Sequence, residues 1–330
     1  MKNSDFKAYV VEEDNGEYNG AVTTRSIDQL PEGDLLVEVQ YSSLNYKDAL
    51  SASGNKGVTK HYPHTPGIDA AGIVVDSGSD RFAKNEPVIV TSYDLGMNTD
   101  GGFGQYIRVP SKWAVKLPAG LTLKESMIMG TAGLTAGMSV LRLSELVKPG
   151  DGKIVVSGST GGVGSMSVAI LSRLGYRVAA ITGKQEEEEF LRGLGADEIL
   201  PRKDIDSDES SPMLKEKFAG GIDTVGGHIL ENIIKSVGPM GAVTCCGLVA
   251  SPKLDLTVFP FILRGITLMG IDSQNYPMAY RQEVWEKLSG EWKPGQLMEM
   301  FSEISLDDLG KAIDEMLKGK SRGRTIVKLQ

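Results

Sequence analysis

The sequence predicts an α/β protein in which a doubly wound parallel sheet is inserted into a β-rich domain. Three observations carry this reading. Residues 1–124 hold short strand signals bounded by Gly, Pro, Asn or Asp. Residues 125–272 alternate strand and helix signals, the pattern of a parallel sheet covered by helices on both faces. The segment 273–330 closes on a strand, GRTIVK, with no obvious place in that parallel sheet. It is therefore assigned back to the β-rich domain, and a length of 330 residues suits two domains at about 150 residues each.

In the first part, LLVEVQYSSL (Leu35 to Leu44) alternates and is rich in Val, Leu and Tyr. AAGIVVDSG (Ala70 to Gly78), EPVIVTSYD (Glu86 to Asp94) and GQYIRVP (Gly104 to Pro110) are further short strands, spaced as in a sandwich or distorted barrel. The pattern changes at KESMIMGTAGLTAGMSVLRL (Lys124 to Leu143), which reads as one helix despite its glycines. KIVVSG is then a buried strand, and VGSMSVAILSRLG an apolar helix stopped by Gly175. YRVAAITG is a second strand and QEEEEFLRGLG a second helix, its acids suiting the first turn. EILPR, GIDTVGG, GAVTCCG and ITLMGID supply the remaining strands. The tail is one amphipathic helix, a basic glycine-containing turn and the closing strand. The stretch Asp204 to Pro212 is acidic and Ser-rich and reads as a surface loop.

Composition narrows the function. Hydrophobic residues at 41% and charged residues at 24% fit a folded globular chain, not a disordered one. No apolar run approaches the ~18–20 residues of a membrane span. The opening MKNSDFKAYV lacks a secretory apolar region. Two adjacent cysteines, Cys245 and Cys246, make no disulfide framework, so a cytoplasmic setting is expected. A net charge of −8 argues against phosphate-backbone binding, so no nucleic-acid or membrane partner is expected.

The sharpest local signal is Ser157-Gly158-Ser159-Thr160-Gly161-Gly162-Val163-Gly164, between an apolar strand and an apolar helix. Ser159 stands at the first place of the usual G-x-G-x-x-G, with Gly161 and Gly164 at the other two. Gly161 would let backbone approach a pyrophosphate, and Gly164 would let the helix pack closely on the sheet. The helix N-terminus would hold the anion. The second strand ends Ile181-Thr182-Gly183-Lys184, without the acid that holds a ribose 2′-hydroxyl in NAD sites. Thr182, Gly183 and Lys184, with Arg202 just past the third strand, suit a 2′-phosphate instead. The expected cofactor is NADPH.

A metal is not expected. The histidines are His61, His64 and His228, no Cys-x₂-Cys cluster occurs, and His61 and His64, in the Pro-containing loop HYPHTPG, read as surface or loop residues. Without a Lewis acid to ionise an alcohol, reduction of an already polarised acceptor is the easier chemistry.

The segments LPEGDLLVEVQYSSLNYKDAL, PGIDAAG, GTAGLTA, VVSGSTGGVGS, LGADEILPR, IDTVGG, FILRGITLMGIDS and GRTIVK resemble the medium-chain dehydrogenase/reductase superfamily. The resemblance is to its zinc-free quinone oxidoreductase branch, of the YhdH/YhfP type that includes acrylyl-CoA reductases, and it runs over essentially the whole chain. It implies a GroES-like catalytic domain split around an inserted Rossmann domain, with the cofactor in the cleft between them, and homodimers paired through the edge strands of the Rossmann sheets. Carried over, Tyr46 of NYKD faces the nicotinamide, and Thr160, Gly161, Gly162 and Val163 hold the pyrophosphate. Thr182, Gly183, Lys184 and Arg202 hold the 2′-phosphate, and Leu248, Ile262 and Ser273 line the nicotinamide side. Lys184 replaces an arginine of some relatives, giving a point charge instead of a fork.

The implied reaction passes a hydride from NADPH to the β-carbon of an α,β-unsaturated carbonyl, such as an acrylyl-CoA-like enoyl thioester, or to a quinone. The negative charge left on oxygen needs a donor. Tyr46 is the candidate donor or general acid, and Asn45 beside it would fix the nicotinamide or the substrate. Asp69 is read as structural, paired with a basic side chain, and Arg324 as reaching the cleft or binding its own loop. The competing reading is an NADPH-binding regulatory or RNA-binding module without turnover, which the negative charge and lack of a basic-aromatic patch disfavour in its RNA form.

Overall fold

The chain opens on a hairpin that the strand signals above do not include. In the computed structural model, which describes residues 5–207 and 210–330, β1 (Asp5–Asp14) and β2 (Glu17–Ser26) pair antiparallel. Asn15 and Gly16 turn it with φ of 53° and 86°, the positive values that a two-residue Asn-Gly turn requires. No residue of β2 is fully buried, so no hydrophobic alternation marks it.

β3 (Leu35–Leu44) buries Leu35, Val37 and Val39 on one face, as its alternation predicts. It runs into α1 (Tyr46–Ala52). β4 (Asp69–Ser77), β5 (Pro87–Thr91), β6 (Tyr106–Val109) and β7 (Ala114–Lys116) follow. The next helix, α2 (Leu123–Leu146), is not the single rod expected: Gly130 breaks it with φ 52° and ψ −155°.

Two residues past that kink the chain enters a second compact unit, Ala132–Ser273 with Gly290–Gln296. It reads β8 (Lys153–Val156), α3 (Gly162–Arg173), β9 (Arg177–Thr182), α4 (Glu188–Gly193), β10 (Glu198–Pro201) and β11 (Phe218–Asp223). Then come α5 (Gly227–Ser236), β12 (Val237–Cys245), α6 (Phe259–Arg264) and β13 (Thr267–Gly270). The six strands are parallel in the order β10-β9-β8-β11-β12-β13. In chain order within the unit this is 3-2-1-4-5-6, the doubly wound dinucleotide-binding order, with its switch point between β8 and β11. Val155, Ala179, Ile181, Ile229, Ile233 and Val243 build its core.

The return segment carries α7 (Met278–Ser289), β14 (Phe301–Ser305), α8 (Leu309–Leu317) and β15 (Arg324–Lys328). β15 pairs antiparallel with β3, so the closing strand belongs to the β-rich unit, as expected. That sheet has seven strands in the order β14-β15-β3-β4-β5-β7, with β6 also on β3. Leu35, Val37, Val88, Val90, Leu309, Ile313 and Val327 lie in its core. The first unit thus spans residues up to Thr131, Gln274–Ser289 and Leu297–Gln330.

Two readings need correction or limits. His64 is not at the surface: it is 4% exposed, and its Nε2 lies 2.9 Å from the Gly96 carbonyl oxygen. Its imidazole pKa is lowered by burial. Asp208 and Glu209 of the acidic loop, like residues 1–4, lie outside the described residues. Among the described residues no helix is long and apolar enough to cross a membrane.

Candidate active site

In the second unit the glycine-rich turn sits at the carboxyl end of β8, beside the switch point. The left-handed residue of the turn is Gly158 (φ 57°), so the tight bend falls one place before Ser159. Ser159 instead donates from Oγ to the Val156 carbonyl (2.8 Å) and from its amide to Ile181 on β9 (3.2 Å). A Cβ on Gly164 would collide with the Gly158 carbonyl oxygen, which is why the first turn of α3 can lie directly on the bend. Asp223, at the end of β11 and fully buried, ties the turn from the far side. It accepts from Ser157 Oγ (2.7 Å) and from the Gly226 amide (2.8 Å). Burial raises its carboxyl pKa. The first amides of α3, at Gly162, Val163 and Gly164, have no acceptor within the helix and are available to an anion.

The ends of β9 and β10 frame a cavity of about 490 Å³, lined by Thr182, Gly183, Gln185, Glu186, Pro201, Arg202, Lys203 and Asp206. Thr182, Gly183 and Arg202 are brought together as the sequence predicts. Lys184 is not in the lining; its backbone amide donates to Thr182 Oγ1 (2.9 Å). The reason is local: Lys184 caps a short 3-10 turn, and the next two residues occupy the rim instead. Lys203 is a cation at this cavity that sequence reasoning missed. Arg202 donates from Nε to Asp206 one helical turn on (3.0 Å) and is about half exposed. Leu248 lies on the loop after β12 and Ile262 on α6, both about two-thirds exposed, and Ser273 is the last residue before the chain leaves the unit.

In the first unit, Tyr46 is the first residue of α1, 41% exposed, and its hydroxyl has no hydrogen-bond partner among the described residues. Asn45 caps the same helix. It is 8% exposed; its Nδ2 donates to Asp69 Oδ2 (2.8 Å) and Ser43 O (3.2 Å), and its Oδ1 accepts from Arg324 (3.2 Å). Its side-chain amide is committed inside the protein on both its nitrogen and its oxygen.

Asp69 is indeed structural and paired: Arg324 lies 3.8 Å from its carboxylate, and both are buried. Arg324 also donates to Ile128 O (3.0 Å), Leu44 O (3.3 Å) and Ser43 Oγ (2.8 Å). The kink at Gly130 is shaped by this cluster, since a Cβ there would come within 2.5 Å of Asp69 Oδ2 and Ser43 Oγ.

A second buried carboxylate, Asp48, accepts from the Ile68 amide (2.8 Å), the Gly67 amide (3.2 Å) and the Asn45 amide (2.8 Å). Burial first, and Asp69 second, push its carboxyl up to about 7 against those donors. The folded chain therefore holds the Asp48 proton more tightly than the unfolded chain. The stability this contributes is complete below the unfolded value of about 3.9 and is lost as pH rises through about 7. The melting temperature is expected to fall between about pH 6 and 8 relative to Asp48→Asn, whose side chain cannot ionise. Parallel melting curves of the two proteins across this range would contradict the assignment.

A zinc site does not fit these residues. Among the described residues no three His, Cys, Asp or Glu side chains gather as a metal site. Burial pushes the Cys246 thiol up to about 12, and His64 is committed to Gly96.

Residues 31–119 match the family model described as alcohol dehydrogenase GroES-like domain, and residues 162–290 the one described as zinc-binding dehydrogenase. The chain is 41% identical over 326 residues to "Putative quinone oxidoreductase YhfP" of Bacillus subtilis, covering 98% of this chain and 99% of that protein. It is 39% identical over 325 residues to acrylyl-CoA reductase AcuI of Ruegeria pomeroyi, covering 98% of each. Among solved structures, the yhdH oxidoreductase of Salmonella enterica, in complex with NADP, superposes with a TM-score of 0.96 at 41% identity, covering 98% of this chain and 100% of that one. Bacillus subtilis yhfP, with NAD bound, superposes with a TM-score of 0.96 at 41% identity, covering 98% and 99%.

Proposed function

Since the chain belongs to the medium-chain dehydrogenase/reductase family, in its quinone oxidoreductase branch, and is an oxidoreductase, we propose that it reduces α,β-unsaturated thioesters of the acrylyl-CoA kind with NADPH. The observation that carries the cofactor reading is the cavity at the ends of β9 and β10. Thr182 and Arg202 both line it, and β9 itself ends without a carboxylate. The solved relative holding NADP supports this choice; the one holding NAD is the reason to measure both.

NADPH, when bound, supplies a hydride. Thr160, Gly161, Gly162, Val163 and Gly164 would hold its pyrophosphate through backbone amides. Thr182, Gly183 and Arg202 would hold the 2′-phosphate, with Lys203 adding charge and Lys184 acting from outside the cavity wall. Leu248, Ile262 and Ser273 would line the nicotinamide side. The Tyr46 hydroxyl would donate to the substrate oxygen as negative charge develops there. Quinones are the second substrate class, on the strength of the YhfP relative. A homodimer is part of this reading. β13 is the last strand in the order of its sheet, and Ile262 and Leu263 on α6, with Val258 just before it, expose apolar surface nearby in sequence.

The test follows NADPH and NADH absorbance with acrylyl-CoA and with a small quinone, beside titrations of both dinucleotides. NADPH oxidation by acrylyl-CoA, and tighter binding of NADPH than NADH, are expected. Clear NADPH binding with oxidation by neither acceptor would favour a module without turnover. Tighter binding of NADH would overturn the cofactor assignment.

A further inference from the structure

Asp69 occupies the centre of a buried network, and its bonds lead to the helix that bears Tyr46. It is fully buried. Its carboxylate accepts from Ser43 Oγ (2.6 Å), Asn45 Nδ2 (2.8 Å), the Thr131 amide (2.9 Å) and Thr131 Oγ1 (2.6 Å). Thr131 Oγ1 in turn lies 2.9 Å from Ser92 Oγ, at a turn where Ser92 and Tyr93 both hold positive φ (61° and 52°). Arg324 grips the other end of the Asn45 amide and shares Ser43 with Asp69. Asn45 is thus clamped at both ends of its side chain. It is the residue before Tyr46, and its own amide is held by Asp48.

Two arguments give this arrangement a purpose beyond stability. A buried ion pair is weak evidence for stability, because apolar residues of similar volume often serve as well. And a half-exposed tyrosine whose hydroxyl has no hydrogen-bond partner among the described residues depends for its aim on the backbone that bears it, which here is the first turn of α1. We propose that Asp69 is a positioning residue for the reduction step, acting through Asn45 on the direction of the Tyr46 hydroxyl. This rests on the reading of Tyr46 as the donor to substrate. Asp69 touches neither cofactor nor substrate in this role.

The test is a double-mutant cycle on the full chain, with kcat, KM, the NADPH dissociation constant and melting temperature measured for each protein. Asp69→Asn is expected to lower kcat about tenfold per folded molecule and to leave NADPH binding within twofold. In a Tyr46→Phe background the same change is expected to lower kcat no further, because both act on one group. The exchange Asn45→Asp with Asp69→Asn restores a donor–acceptor pair between the two positions and is expected to recover most of the loss, which a mere loss of fold would not do. If Asp69→Asn does not fold, Thr131→Val removes one donor from Asp69 and is expected to show a smaller loss with the same non-additivity. Unchanged kcat in Asp69→Asn, or losses that multiply with Tyr46→Phe, overturn the inference while leaving Tyr46 as donor. Unchanged turnover in Tyr46→Phe alone removes the reading on which it rests.

Discussion

Replacing Tyr46 by phenylalanine is expected to lower turnover about 100-fold, in the range set by losing a general acid or an oxyanion donor. The dissociation constant for NADPH is expected to stay within twofold. The argument is differential. The substrate oxygen gains charge only as hydride arrives, so a donor aimed at it stabilises the transition state far more than the bound ground state. Tyr46→Phe keeps the ring and the first turn of α1 and removes only the hydroxyl, which has no partner to lose among the described residues. No fold defect should accompany the loss. Stopped-flow measurement of hydride transfer, beside a fluorescence titration of NADPH, separates the two quantities. A variant that turns over at the parent rate would take Tyr46 out of the chemistry.

The second large effect concerns cofactor choice. Arg202→Ala is expected to weaken NADPH binding about tenfold, and Arg202→Glu about a hundredfold. A charge-assisted hydrogen bond contributes about 1.5–3 kcal/mol, and the reversed charge adds repulsion. The lower end suits the alanine variant, because Arg202 is about half exposed and Asp206 already takes its Nε. NADH, lacking the 2′-phosphate, should bind both variants much as it binds the parent. Lys184→Ala is expected to have a smaller effect, since Lys184 is not among the cavity-lining residues. Isothermal titration with both dinucleotides decides this. Equal losses for NADPH and NADH would mean that Arg202 supports the loop and not the phosphate.

Much of the architecture was legible because it is written in local order. Most strands of the parallel sheet are short apolar runs followed by a helix signal or a glycine. The return of β15 to the first sheet was legible by elimination. The hairpin β1–β2 was not, because β2 buries none of its residues fully and so lacks a hydrophobic rhythm, although Asn15-Gly16 marks the turn. The kink in α2 was missed because the cause of the break at Gly130 lies in Asp69 and Ser43, far away in sequence. The same holds within the site. The glycine-rich turn announces itself in eight consecutive residues. The clamp on Asn45 joins positions 45, 69 and 324, and no pattern of spacing reveals that an amide which reads as exposed chemistry is held inside by a carboxylate and a guanidinium.

The pairing of β15 with β3 has a consequence for biosynthesis. The second unit is nearly continuous in sequence, so its sheet is available to fold while the chain is still being made, as domains generally do. The first unit is not so placed. One neighbour of its strand β3 is β15, made long after β3 itself, and that strand brings Arg324, the only cation bonded to Asp69 among the described residues. Until β15 is made, Asp69 lacks that guanidinium, so the buried network around it is completed only after the second unit has been synthesised. Completion of this half is tied to the synthesis of β15.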